Sequence, residues 1–168
     1  MDPSYPENSG FASASRRFQN RSVRIAVIAD THNRLPDALV STLAGADEIW
    51  HLGDICTPDI LQSLRGIGPT VHAVRGNCDP RGIAPDTLLL ERQGHTFFLC
   101  HEPGVIAPPE AGFLLHGHTH VPRDEQAGRL RVLNPGTVGK ANHGAPPSFA
   151  WLQLEREHPP DWKIVPLP

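Results

Sequence analysis

A chain of 168 residues is long enough for one ordinary domain with a core of its own, and a formal net charge of −3 excludes a nucleic-acid or membrane surface held by bulk charge. Its three cysteines, Cys56, Cys78 and Cys100, form no CxxC pair and no disulfide framework, so a reducing, cytoplasmic setting is expected. The unusual part is ten histidines and 18 prolines, and only spacing can separate surface imidazoles from ligands.

Residues 1–22 contain no apolar run that could serve as a signal-peptide core, and no stretch of the chain approaches a membrane span. Arg16, Arg17 and Arg21 echo a targeting segment, but Asp2 and Glu7 oppose that reading, and a disordered tail is expected there. The folded domain is expected over 23–168. It begins with an apolar run over 23–29 that reads as a buried strand. Pro36 opens a helical segment over 36–45, a strand follows over 48–52, a second helix over 58–64 stops at Gly66, and a third strand spans 70–74. This β-α-β-α-β order predicts parallel strands joined by right-handed crossovers, with their ends on one edge, where ligands of open α/β sheets gather.

Beyond it, 87–92 and 96–100 flank Gln93-Gly94-His95 as a hairpin. A short strand over 113–115 leads into His116-Gly117-His118-Thr119-His120, and 130–133 and 149–154 read as antiparallel edge strands. The expectation is an α/β sandwich in which a second, more antiparallel sheet packs on the first. The Pro-rich turns at 107–109 and 146–147 read as loops.

Each strand of the first half runs straight into a polar cluster: Asp30-Thr31-His32, Gly53-Asp54, and Gly76-Asn77-Cys78-Asp79. Together the loops present seven side chains, Asp30, His32, Asp54, Asn77, His101, His118 and His120. The pairs Asp30/His32 and His118/His120 lie at i and i+2, so in extended chain both members point one way and can share a cation. Carboxylate, imidazole and amide donors suit two borderline divalent ions; Mn is favoured, Ni, Co, Fe or Zn are alternatives, and Mg is disfavoured.

These motifs, in this order, resemble the calcineurin-like metallophosphoesterase superfamily, in particular its small bacterial and archaeal phosphodiesterase branch and the related trafficking scaffold Vps29. The pattern D-x-H, G-D, G-N-x-D, a lone His and G-H-x-H spans Asp30 to His120, and Asn134-Pro135-Gly136-Thr137 resembles the family's N-P-G-S turn. The resemblance implies a two-sheet αββα sandwich. Only 16 residues, three of them proline, separate His101 from His118, where relatives place a helix, so that helix is expected to be lost. It also implies one ion held by Asp30, His32, Asp54 and His120, a second held by Asp54, Asn77, His101 and His118, and a hydroxide bridging the ions that attacks phosphorus. Asp54, Asn77 and His101 are then the catalytic positions. Two carboxylates against two divalent ions leave +2, which a bridging hydroxide lowers to +1, a charge that attracts a phosphate ester.

Larger phosphatases of the superfamily carry His at the position of Cys78, where it helps protonate the leaving group. A thiol is a poor acid for that task, so the expected reaction is hydrolysis of nucleotide or small organic phosphodiesters. Alternatives are a phosphomonoesterase or protein phosphatase, and a Vps29-like scaffold with weak catalysis, against which the intact ligand set argues. Asn33 and Arg34 read as phosphate contacts or as solvated loop; Asp79 as a residue that orients a ligand or caps a turn; Glu102 as narrowing the cleft or facing solvent.

The remaining histidines, 51, 72, 95, 116, 143 and 158, read as core or surface residues; Trp50, Phe97, Phe98 and Leu99 as core; Cys56 and Cys100 as small buried hydrophobes; Arg129, Arg131 and Lys140 as a solvated face. No aromatics interleave with these cations, so the expected partner is a small phosphoester and not a nucleic-acid polymer. Exposed edge strands admit a homodimer.

Overall fold

The computed structural model describes residues 21–139 and 144–168. The expected tail therefore lies outside the described residues except for Arg21 and Ser22, as do Lys140 and His143. No helix among the described residues is long and apolar enough to cross a membrane.

The first half folds as a parallel unit. Strands β1 (Val23–Ile28), β2 (Glu48–His51) and β3 (Thr70–Ala73) alternate with helices α1 (Asp37–Leu43) and α2 (Pro58–Gly66). Pro36 caps α1 in extended conformation and Asp37 places a carboxylate in its first turn; Pro58 opens α2, where the missing N–H costs nothing. The register pairs Ile28 with His51 and His51 with Ala73, so the three strands end level and release their polar loops along one edge.

The second sheet uses the same device. The hairpin of β4 (Thr87–Arg92) and β5 (His95–Cys100) turns through Gln93 and Gly94, both with positive φ, the twist that two-residue hairpins favour. Strands β6 (Phe113–Leu115) and β8 (Leu130–Asn134) run parallel to β5, with Leu99 opposite Leu115 and Leu115 opposite Leu133. These ends also lie level, and they release His101, the 116–120 loop and the turn after Asn134 towards the first sheet's loops.

Two expectations about the second half are corrected. Neither 130–133 nor 149–154 is an edge strand: β8 lies between β6 and β7 (Arg123–Ala127), and β9 (Ser148–Leu154) lies in the first sheet between β1 and β10 (Asp161–Pro166). The second sheet is also no more antiparallel than the first, since each has two parallel and two antiparallel pairings. The physical reason is that β7 and β10 supply outer partners.

Strand alternation divides the core. Ile25 and Val27 of β1 face the second sheet, where Trp50, Phe97, Leu99, Leu115, Leu133 and Leu152 fill the space between the sheets. Ala26 and Ile28 face the other way, beneath Leu39, Leu43, Ile60, Leu61 and Leu64 of the helices. Each fully buried large apolar side chain contributes about 1.5–3 kcal/mol. On the far face of the second sheet, Phe98, Cys100, Leu114 and Val132 are covered by Ala107 and Ala111 of a loop. Among the described residues no helix lies between His101 and His118, so the sandwich has a loop as its fourth layer. Arg129 holds that loop in place by donating to the carbonyls of Ala107, Pro108, Pro109 and Ala111. Arg131 makes a two-pronged ion pair with Asp124 at 2.8 Å and donates to Pro160 O. Arg129 is exposed, as the solvated-face reading expects, and Arg131 is half-buried, but both also act as structural clamps: loop carbonyls with no helix to satisfy them need donors.

Candidate metal centre

All seven predicted side chains come together where the two sheets' strand ends meet. Five of them, Asp30, His32, Asp54, His118 and His120, sit in left-handed backbone, with φ between 44° and 67°. Non-glycine residues adopt that conformation at a cost of roughly 1–2 kcal/mol each, so their surroundings must impose it. The loops do so by bonding to one another. Asp30 N donates to Gly53 O and His32 N to Asp54 O, both at 2.9 Å, while Gly139 N and Thr137 Oγ1 donate to Asp30 O at 3.0 Å. Close approach fixes the glycines: a Cβ at Gly76 would overlap the amide and carboxylate of Asp54, and one at Gly117 would press on Asp30 and Leu52 O.

The seven side chains form two abutting groups. In one, His32 Nε2 lies 3.2 Å from His120 Nε2 and 3.7 Å from Asp54 Oδ2, and His120 Nε2 lies 3.2 Å from Asp30 Oδ1. In the other, Asn77 Oδ1 lies 2.9 Å from both His101 Nε2 and His118 Nδ1, and His101 Nε2 lies 3.4 Å from Asp54 Oδ1. The two oxygens of Asp54 thus face opposite groups. The i, i+2 expectation is corrected for the second pair: with left-handed backbone in place of an extended chain, His118 joins one group and His120 the other.

The donor chemistry is that of a cation site. The Nδ1–H of neutral His101 donates to Leu52 O at 2.8 Å, which leaves the Nε2 lone pair facing the Asn77 and Asp54 oxygens, acceptor against acceptor. Asp30 and Asp54 are fully or almost fully buried, yet among the described residues no Lys or Arg lies within ion-pair distance of either. A buried carboxylate without a compensating cation is costly. The hydrogen bond to the Asp30 carboxylate holds the His120 imidazole above its ordinary pKa. Among the described residues His120 Nδ1 is buried without a hydrogen-bond partner.

Around the cage, sequence reasoning assigned some residues well and missed others. Asp79 accepts from Cys56 N at 2.5 Å and Gly76 N at 2.7 Å and bonds to none of the seven candidate ligands, so of its two readings the structure favours the turn cap. Asn33 is exposed and accepts from Thr57 Oγ1, and Arg34 is exposed beside Pro36, Val138 and Leu167. The Cys78 amide donates to Asp54 Oδ1 at 2.9 Å, and its thiol lies within ligand distance of His32 and Asp54. Burial and the Asp54 carboxylate push that thiol up to about 11. Cys100 is buried as expected, but Cys56 is only half-buried, in positive-φ backbone beside His32 Nδ1, which corrects its core reading.

Missed were the loop ties. His51 Nδ1 accepts from Gly53 N at 3.2 Å, its Nε2 meets Thr31 Oγ1 at 3.1 Å, and that hydroxyl donates to Asp54 O. All three bonds are satisfied by neutral His51, and burial lowers its pKa to about 3. Asn134 Nδ2 donates to Gly117 O at 2.9 Å and Thr119 Oγ1 at 3.0 Å, fixing the loop of His118 and His120. The usable signal was position: His51 ends β2 and Asn134 ends β8, each directly before or beside a ligand loop.

Comparison with known proteins agrees with this architecture. The family model of the calcineurin-like phosphoesterase superfamily domain matches residues 23–157. A probable metallophosphoesterase of Methanothermobacter thermautotrophicus is 32% identical over 133 residues, covering 67% of this chain and 76% of that one. The phosphodiesterase YfcE of Escherichia coli is 29% identical over 164 residues, covering 77% of this chain and 87% of its own. The solved structure of YfcE superposes with a TM-score of 0.68 at 26% identity, over the same shares of the two chains. Vps29 of Entamoeba histolytica, solved with Zn2+, has a TM-score of 0.68 at 20% identity over 85% of this chain and 98% of that one, a likeness of fold alone. With its strand-end motifs gathered into one cage and its folded region matched almost throughout, the chain belongs to the calcineurin-like phosphoesterase superfamily.

Proposed function

We propose that this chain is a phosphodiesterase that uses two divalent ions, one held by Asp30, His32, Asp54 and His120 and the other by Asp54, Asn77, His101 and His118. The observation that carries this reading is the convergence of four imidazoles, an amide oxygen and two buried carboxylates with no Lys or Arg among the described residues within ion-pair distance of those carboxylates. When bound, such ions supply Lewis acidity that acidifies water and offsets charge on a phosphoryl group. Mn is the favoured occupant.

The chain's own residues divide the remaining work. Asp54 directs one oxygen into each group and ties their positions together. Leu52 O accepts from His101 Nδ1 and so orients the ring with Nε2 towards Asn77 and Asp54. Asn77 and His118 are exposed and form the face that a phosphate ester meets first. Cys78 stands exposed at that face with a thiol, a weak acid for protonating an alkoxide. Esters with acidic leaving groups, and diesters in particular, are therefore favoured over alkyl monoesters. The relationship to YfcE supports the same preference.

The test is a panel of mono- and diesters assayed with metal-stripped protein reloaded with Mn, Ni, Co, Zn or Mg. Turnover of bis(p-nitrophenyl) phosphate above that of p-nitrophenyl phosphate is expected, highest with Mn. Turnover of monoesters alone would contradict the diester reading. The fold likeness to Vps29 motivates the rival reading of a binding scaffold. That reading predicts no turnover by metal-loaded protein and a function untouched by Asp54→Ala.

A further inference from the structure

Next to Asn77 and His101 the cleft opens into a cavity of about 470 Å³, whose wall is completed by Arg75, Asp86, Thr87, Glu102 and Val105. That volume suits a small organic group. Its chemistry is set by three charges. Arg75 Nε donates to Asp86 Oδ1 at 2.6 Å and its Nη1 to Gly76 O at 3.3 Å, so the guanidinium is fixed and its charge offset. Glu102 has no ion-pair partner among the described residues, and the wall carries one formal charge of +1 against two of −1. The short loop after His101 puts it there: Val105 N bonds back to Glu102 O at 3.4 Å, a turn that sets Glu102 and Val105 side by side in the wall.

Equally informative is what lines the cavity. Apart from the His101 ring, no aromatic side chain does, so there is no platform on which a nucleobase could stack. Carboxylates, a hydroxyl and one valine suit hydroxyl or ammonium groups on a short alkyl chain, and the surplus negative charge opposes an arm bearing its own phosphate or carboxylate. We infer that this cavity receives the second ester arm of the diester, and that the arm is a small hydroxylated or aminated alkyl group, uncharged or cationic, in preference to a nucleoside. The inference rests on the phosphodiesterase reading and narrows it.

The test uses p-nitrophenyl diesters that share a leaving group and differ only in the other arm: choline, glycerol and thymidine 5′-yl. With Mn-loaded full-length protein, kcat/KM for the choline and glycerol esters is expected to exceed that for the thymidine ester by about tenfold, a difference of about 1.4 kcal/mol. Reversing the wall charge with Glu102→Lys is expected to lower the choline-to-thymidine ratio by roughly fivefold, with Glu102→Gln in between, the scale of two exposed charge contacts. A thymidine ester hydrolysed as well as the others, or a ratio unmoved by Glu102→Lys, would overturn the inference while leaving the phosphodiesterase reading intact. Hydrolysis of none of the three would remove both.

Discussion

The two halves of the cage differ in how the protein holds them. Asp30 and Asp54 are buried, lie in left-handed backbone, and are bonded loop to loop through Gly53, Thr137, Gly139 and the His51–Thr31 relay. Asn77 and His118 are exposed, Asn77 opens onto the cavity, and apart from the shared Asp54 only His101 of their group is buried. The difference teaches that one half is built as part of the fold and the other as a face for a substrate. Substitutions in the buried half should therefore damage stability and metal binding together, whereas those in the open half should damage metal binding and activity alone.

The largest effect is expected at the residue both halves share. Asp54→Asn should lower kcat/KM on the order of 10³-fold and reduce bound metal, measured by elemental analysis, because each group loses a carboxylate oxygen. Next is Gly76→Ala, whose added methyl would meet the Asp54 amide and carboxylate. Overpacking of this kind costs about 1–3 kcal/mol and should appear as a lower Tm as well as lost metal. Asn77→Ala sharpens the contrast: activity should fall about 10–100-fold, while the unfolding free energy stays within about 0.5 kcal/mol, since the side chain is exposed.

The effect that vanishes at neutral pH concerns His51. Its pKa is about 3 in the folded protein against an ordinary 6.5, so the unfolded chain binds the proton first as pH falls. Its contribution is present in full above pH 6.5 and is lost progressively down to about 3, with a slope near 1.4 kcal/mol per pH unit in that window. His51→Gln should flatten the acid limb of a stability-against-pH curve by one proton. An unchanged limb would show that the buried half does not depend on this imidazole staying neutral.

Much of the cage was legible because each motif follows an apolar strand; for Asp30, Asp54 and Asn77 the strand order alone placed their loops on one edge. The loss of a helix after His101 was equally legible from length and proline content. Less visible was what depends on distant partners. β7 reads Arg-Asp-Glu-Gln-Ala, with no apolar face to announce a strand, and exists because it pairs with β8. The place of β9 beside β1 required β10 as its outer partner, and Trp162 and Ile164 mark that strand only faintly. Arg129 is solvated as expected, but its clamping role was hidden because its four acceptors are carbonyls of a loop some twenty residues away. Left-handed backbone at five candidate ligands has only a weak sequence signal, since Asp and His tolerate it better than most residues but neighbouring loops impose it.

Anomalous diffraction from crystals of the Mn-loaded protein tests the account most directly. Two peaks are predicted, one on each side of the Asp54 carboxylate, the first among Asp30, His32 and His120 and the second among Asn77, His101 and His118. A single peak, or none in contact with Asp54, would contradict the sharing of that carboxylate between two ions.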